Sequence, residues 1–140
     1  MKRTVFVDTD IILDILTSRE PFYQPAARLF TLVERGEIKA CVSSLTFANL
    51  FYILRKELSS PKAIEVLKKL RQLVTVLAVD DKIIGLALNT GFNDFEDAIQ
   101  YQTALSKEIA WLITRNIKDY RKPVLTVCTA EEFLASRASA

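Results

Sequence analysis

Alternation restricts the fold of this sequence more than any other feature. Short β-branched and aromatic runs recur between longer stretches whose apolar residues fall at helical spacing. Thr4–Val7 is the first such run and ends on Asp8, which reads as a buried strand carrying an acid at its C-terminal end. Ile38–Val42, Val74–Val79, Trp111–Thr114 and Val124–Val127 are further candidate strands. Helices are predicted over Ile11–Leu16, Ala26–Arg35 and Leu45–Leu58, the last with Ser43 or Ser44 as its cap. Another opens with Ser60 as N-cap and Pro61 as first helical residue and carries Ile64, Leu67, Leu70 and Leu73 on one face. Asp80 or Asp81 caps a helix to about Leu88, a longer one runs from about Asp94 to Lys107, and Thr129 caps a short last one. Pro21 and Pro25 bracket a loop, and Gly36 stops the second helix.

Parallel strands need crossovers, and helical crossovers cover both faces of the sheet. The expectation is therefore an α/β three-layer sandwich with a mostly parallel central sheet of four or five strands. Its 140 residues, half of them hydrophobic, fit a single domain over 1–140, with 136–140 as a frayed tail.

The chain contains no histidine, which removes the usual general base near neutral pH, His-supported Ser or Cys nucleophiles and most zinc sites. Three isolated glycines, Gly36, Gly85 and Gly91, supply neither a dinucleotide fingerprint nor a phosphate-cradling loop. Cys41 and Cys128 have no metal or redox spacing, so a reducing cytoplasm is the plain expectation. Acids at Asp8, Asp10 and Asp14 interrupt the first apolar stretch, which argues against a signal segment or a membrane span. A net charge of +2, from 19 basic and 17 acidic residues, does not by itself announce nucleic acid.

Ligands in such folds collect beyond the carboxyl ends of the strands. Asp8 and Thr114-Arg115-Asn116 both follow directly on strand candidates. Asp94 and Asp97, three apart, share a helical face, with Glu96 as an outer ligand or hydrogen-bond partner. Bringing Asp8, Asp94, Asp97 and Asp119 into one cleft is self-repulsive unless a cation is bound. Hard oxygen donors favour one or two Mg²⁺ or Mn²⁺ ions, which take part of their shell from a phosphate. A metal-activated water then makes a histidine base unnecessary.

Blander readings stand beside each element. Asp80, Asp94 and Asp119 also suit helix caps, and Asp10 or Asp14 alone suits a solvated cap. Asn49, on an apolar helix, equally suits a buried hydrogen-bond partner. The basic segment Arg115, Lys118, Arg121 and Lys122 is ordinarily a solvated loop, but beside an acidic metal pocket it can hold the phosphates of a polyanion. Tyr101 and Tyr120 suit core or rim packing better than base stacking.

Three segments, Val5-Phe6-Val7-Asp8-Thr9-Asp10, Asp94-Phe95-Glu96-Asp97-Ala98 and Ile113-Thr114-Arg115-Asn116-Ile117-Lys118-Asp119-Tyr120, give nearly the whole chain a pattern that resembles the PIN-domain family, typified by VapC-like toxin ribonucleases. The resemblance implies that Asp8 is the first metal-binding acid, Asp97 the helix acid sharing the ion, and Asn116 and Asp119 a later polar pair. It makes Thr114 and Thr9 supporting residues. The sequence departs from the family where Asn49 stands in place of the usual Glu, and where Asp10 often has an Asn counterpart.

The resulting expectation is a cytoplasmic, Mg²⁺- or Mn²⁺-dependent endoribonuclease, the toxin of a toxin-antitoxin pair in one form. Asp8, Asp97, Asp119 and Asn116 are its catalytic candidates, and Asp8, Asp94 and Asp97 its metal ligands. Thr9, Asp10, Asn49, Glu96 and Thr114 are its supporting residues, and Arg115, Lys118 and Arg121 its RNA contacts. An antitoxin or a second copy of the chain is the expected protein partner, with Phe47, Phe51 and Tyr52 as a candidate surface. Two rivals remain. One is a PIN-fold RNA- or protein-binding module with weakened catalysis. The other is a haloacid-dehalogenase-like phosphatase, which needs a later acidic pair that only Glu131 and Glu132 can supply.

Overall fold

A computed structural model of the protein describes residues 2–120 and 124–138. Arg121 and Lys122, two of the basic candidates, lie outside the described residues. Five strands, β1 (Arg3–Val7), β2 (Ile38–Ser43), β3 (Thr75–Leu77), β4 (Trp111–Ile113) and β5 (Thr126–Cys128), form one sheet in the order β3-β2-β1-β4-β5. Every pairing is parallel, with Val5 opposite Ala40 on one side and opposite Trp111 on the other. The connections are helical: α1 (Thr9–Leu16), α2 (Tyr23–Glu34), α3 (Ser44–Glu57), α4 (Ser60–Leu73), α5 (Asp81–Leu88) and α6 (Phe95–Ser106), with α7 (Ala130–Ala138) last.

The period-two alternation of the strands sorts the core into two layers. Val5, Val7, Ala40, Val42 and Ile113 meet Ile12, Leu29, Leu50, Leu67 and Phe133 on one face. Phe6, Cys41 and Leu112 meet Tyr101 and Ala104 of α6 on the other, while Ile83 and Ala87 of α5 pack on Ala98 and Ile99 of α6. This is the expected three-layer α/β sandwich, with a sheet that is wholly parallel. Cys41 and Cys128 are both buried and free.

Several boundaries differ from the sequence reading for local reasons. Pro25 lies inside α2 rather than in the preceding loop, because a proline in the first turn gives up only an N–H that has no intrahelical acceptor. Ser59, not Ser60, caps α4, its hydroxyl accepting from Lys62 N at 3.3 Å. β3 is shorter than expected. The segment expected to fray from Ser136 stays helical through Ala138, with Ser136 Oγ donating to Phe133 O at 2.7 Å. Gly36, at φ +73, takes the left-handed conformation that follows α2.

Strand order reverses about β1: the chain moves outward through β2 and β3, then returns to the opposite side of β1 with β4. Ligands of such sheets collect beyond the carboxyl ends of the strands where the crossovers part, which here is the point reached by the residues that follow β1 and β4. Those residues are Asp8 and Thr114. Asp8 N donates to Ile113 O at 2.9 Å, which holds the two strand ends together.

Candidate metal centre

Asp8 caps α1, its Oδ1 accepting from Thr9 N at 2.8 Å. Its Oδ2 accepts from Thr114 Oγ1 at 2.9 Å and from Tyr120 Oη at 2.8 Å. Although only 6% of the residue is exposed, these donors are those a carboxylate needs. Burial pushes the Asp8 pKa up, opposed by Tyr120, Thr114, Thr9 and Gln100, which favour the charged form. The phenol of Tyr120 is itself pushed far up, by burial and then by the Asp8 charge, so it stays protonated and donates.

Asp10, in the first turn of α1, accepts from Thr114 Oγ1 at 3.3 Å and from Arg115 N at 3.0 Å, both at Oδ2. Its Oδ1 is buried with no hydrogen-bond partner. Burial and the Asp8 charge raise its pKa to about 6, against the backbone and charge of Arg115. Asp97, on α6, is raised to about 7 by burial, then by the charges of Asp8, Asp94, Asp119 and Asp10. Acids from the three segments therefore lie near enough for their charges to raise Asp97 and Asp10. Glu96 is raised by burial of its carboxylate, then by Asp94 and Asp8, and is eased by neighbouring Asn49.

Two residues take the blander role. Asp94 is exposed and caps α6, its Oδ1 accepting from Asp97 N at 3.1 Å. Asp80 caps α5, accepting from Ile83 N at 2.9 Å. Asn49 leaves its Nδ2 buried without a hydrogen bond of good geometry. Asp14, expected as a solvated cap, is instead fully buried and paired with Arg115 through Nε–Oδ2 at 2.8 Å and Nη2–Oδ1 at 3.0 Å. The Arg115 guanidinium, expected as an RNA contact, is thus committed to a bidentate pair and lies 4.0 Å over the Phe22 ring. Lys118 and Asp119 stand exposed on a single 3-10 turn, Ile117–Asp119, and exposed Asn116 directly precedes it.

A buried polar layer lies behind the acids. Gln100 accepts from Ser43 Oγ at 2.6 Å and donates to Thr46 Oγ1 at 2.9 Å and Thr9 Oγ1 at 3.4 Å. The sequence offers no direct sign of Gln100 or Thr46 as site residues, presents Ser43 only as the helix cap that it also is, and suits Tyr120 to core or stacking. The one available signal for Gln100 was its position three residues after Asp97, on the same side of α6. Tyr101 is core: its hydroxyl accepts from Val124 N at 2.8 Å and its ring meets Phe92. Phe47 and Phe51 pack against the core, whereas Tyr52 is 62% exposed.

Among the described residues no group of three acids, thiols or imidazoles forms a ready-made cation cage. The expected trio of Asp8, Asp94 and Asp97 is thus not preassembled. The donor set nevertheless fits a hard divalent ion, which is held by one or two carboxylates and keeps several waters. The partnerless Asp10 Oδ1 supplies a buried oxygen for it, and the raised acids gain from its charge. Among the described residues, no helix is long and apolar enough to cross a membrane.

A family model described as PIN domain matches residues 4–118. No curated protein matches the chain in sequence. Among solved structures, DNA-bound VapBC from Salmonella typhimurium has a TM-score of 0.68 at 20% identity, over 93% of this chain and 99% of that one. VapBC-1 from nontypeable Haemophilus influenzae gives 0.67 at 22%, over 91% and 98%. VapC20 of Mycobacterium tuberculosis, described as a sarcin-ricin loop cleaving toxin, gives 0.60 at 17%, over 77% and 86%. These likenesses are of fold. The phosphatase reading falls with the family match, and its needed acids sit elsewhere: Glu132 Oε1 accepts from Thr129 N at 2.9 Å to close the start of α7. With a match that spans most of its length, the chain belongs to the PIN domain family.

Proposed function

We propose that the protein is a Mg²⁺- or Mn²⁺-dependent endoribonuclease that hydrolyses phosphodiester bonds at the cleft between β1 and α6. The observation that carries this reading is the mutual repulsion of Asp8, Asp10 and Asp97, with one buried oxygen of Asp10 left without a partner. Asp8, Asp10 and Asp97 would hold the ion, with Asp94, Glu96 and Asp119 as acids at the rim. When bound, the ion supplies an acidified water and neutralises charge building on phosphorus.

The chain's own residues do the rest. Thr114, Tyr120 and the backbone of Thr9 keep Asp8 ionised and fixed. Arg115 N and Thr114 aim Asp10. Exposed Lys118 offers a charge for the RNA backbone, and Asn116 an uncharged amide to orient substrate or water. Cleavage of single-stranded RNA that needs Mg²⁺ or Mn²⁺, stops with chelator and vanishes in Asp97→Asn with an intact fold is the expected result. Cleavage that persists in that variant contradicts it.

Asn49 favours a second reading, a module that grips RNA or protein without turnover. A neutral amide there supplies no charge for the ion, and its Nδ2 is unsatisfied. Metal-independent RNA binding without cleavage selects that reading. The likeness in fold to VapBC and to a toxin-antitoxin complex from Klebsiella pneumoniae favours a toxin role with a protein antitoxin as partner. Growth arrest on expression, relieved by the Asp97→Asn change, tests that role.

A further inference from the structure

Beside the acids, on the far side of Arg115, lies a cleft of about 270 Å³. Ile11, Phe22 and Pro25 form its apolar wall, and the start of α7 closes the other side. Its position ties it to the acid cluster. Asn116 lines it and donates its backbone N–H to Thr114 Oγ1 at 3.1 Å, the same hydroxyl that serves Asp8 and Asp10.

The charge of the lining decides what fits. Arg115 is the one cation among the described lining residues, and both oxygens of buried Asp14 neutralise it. Glu131 then leaves the lining net negative, which disfavours a phosphate or carboxylate. What remains is a flat aromatic wall, Phe22 backed by the Arg115 guanidinium, with the Asn116 amide beside it. Such a slot suits a neutral ring with apolar faces and polar edges. Unpaired bases are gripped in this manner, by stacking on aromatic or guanidinium planes and by hydrogen bonds to their edges.

We infer that this cleft is a base-reading subsite for the unpaired nucleotide adjoining the phosphodiester that is cut. The inference rests on the ribonuclease reading and adds to it a source of sequence preference. Phe22 is its specificity residue.

The test is cleavage of a randomised single-stranded RNA with Mn²⁺, sequencing the positions around each cut. Parent, Phe22→Leu and Glu131→Lys proteins are compared, their folds checked by thermal melts. The parent is expected to prefer one base at one position beside the cut. Phe22→Leu keeps an apolar wall but no aromatic face, and is expected to lower that preference about tenfold. On RNA abasic at that position it should cut at the parental rate. Glu131→Lys is expected to leave the preference in place. An unchanged preference in Phe22→Leu, from a parent that cleaves, overturns the subsite and leaves the nuclease standing. Saturable binding of inorganic phosphate in the parent cleft, with loss of the parent's base preference, also overturns it, in favour of an anion site. If the parent cleaves no RNA, the ribonuclease reading fails and the cleft is judged alone, by NMR titration of the four ribonucleosides in chelator. Saturable shifts around Phe22 that vanish in Phe22→Leu keep a base-binding cleft. No shifts overturn it.

Discussion

The hydroxyl of Tyr120 donates to Asp8 Oδ2 at 2.8 Å, joining residues 112 positions apart in the chain. The same oxygen takes a 2.9 Å bond from Thr114, so the acid that ends β1 is held from β4 and from the turn beyond it. Removing one donor from a buried carboxylate costs about 1.5–3 kcal/mol. Tyr120→Phe is therefore expected to lower stability by roughly 2 kcal/mol and to weaken Mn²⁺ binding about tenfold. Urea melts and a calorimetric titration check both. Unchanged metal affinity would make Tyr120 a core residue only.

Asp97 and Asp10 carry pKa values of about 7 and about 6, against an ordinary 3.8 for the unfolded chain. Between those limits the folded protein keeps protons that the unfolded chain has released. Without metal, their contribution is thus full at low pH and lost as pH rises through about 6 and 7. In chelator, the melting temperature of the parent relative to Asp97→Asn is expected to fall from about pH 5 to about pH 8, and saturating Mn²⁺ should cancel that fall. A difference that does not change with pH would show that Asp97 titrates like an isolated carboxylate.

Asp14 is fully buried and Arg115 is 26% exposed in side chain, so cutting the pair strands the acid. Arg115→Ala is expected to destabilise by about 3 kcal/mol, and Arg115→Lys to rescue little because it cannot reproduce the two-point contact. Asp14→Leu in the Arg115→Met background removes both charges and should recover most of the loss. Denaturant melts of the four proteins decide it. A loss below about 0.5 kcal/mol in Arg115→Ala would mean that solvent already satisfies Asp14.

Asn49 lies beside Glu96 where the family resemblance leads one to expect an acid. Asn49→Glu adds a charge at the rim of the cleft. Its expected effects are a lower melting temperature in chelator and Mn²⁺ binding tightened roughly tenfold. Equal affinity would place residue 49 outside the ion's reach.

What the sequence displayed was local. Asp8 could be placed because an apolar strand run ends on it, and Asp94 as a cap because the helical pattern begins directly after it. Partnerships across the fold could not be placed this way. Arg115 reaches Asp14 over 101 positions, and Gln100 reaches Ser43 over 57. Neither residue differs locally from a solvated arginine or glutamine, so only the sheet order reveals that their partners lie opposite. The same holds for Asp14: helical spacing places it on α1, but its full burial depends on α1 turning that face toward the segment after β4. The boundary errors at Pro25 and Ser136 have a local origin, since first-turn prolines and weakly amphipathic last turns resemble loop sequence.

The central claim is that Asp8, Asp10 and Asp97 form one site that a divalent cation reconciles. Calorimetric titration of Mn²⁺ into the metal-free parent and into Asp97→Asn, near neutral pH, tests it most directly. Saturable binding in the parent, weakened at least about tenfold in the variant, is the predicted result. A flat trace for the parent, or equal affinity in the two proteins, would contradict it.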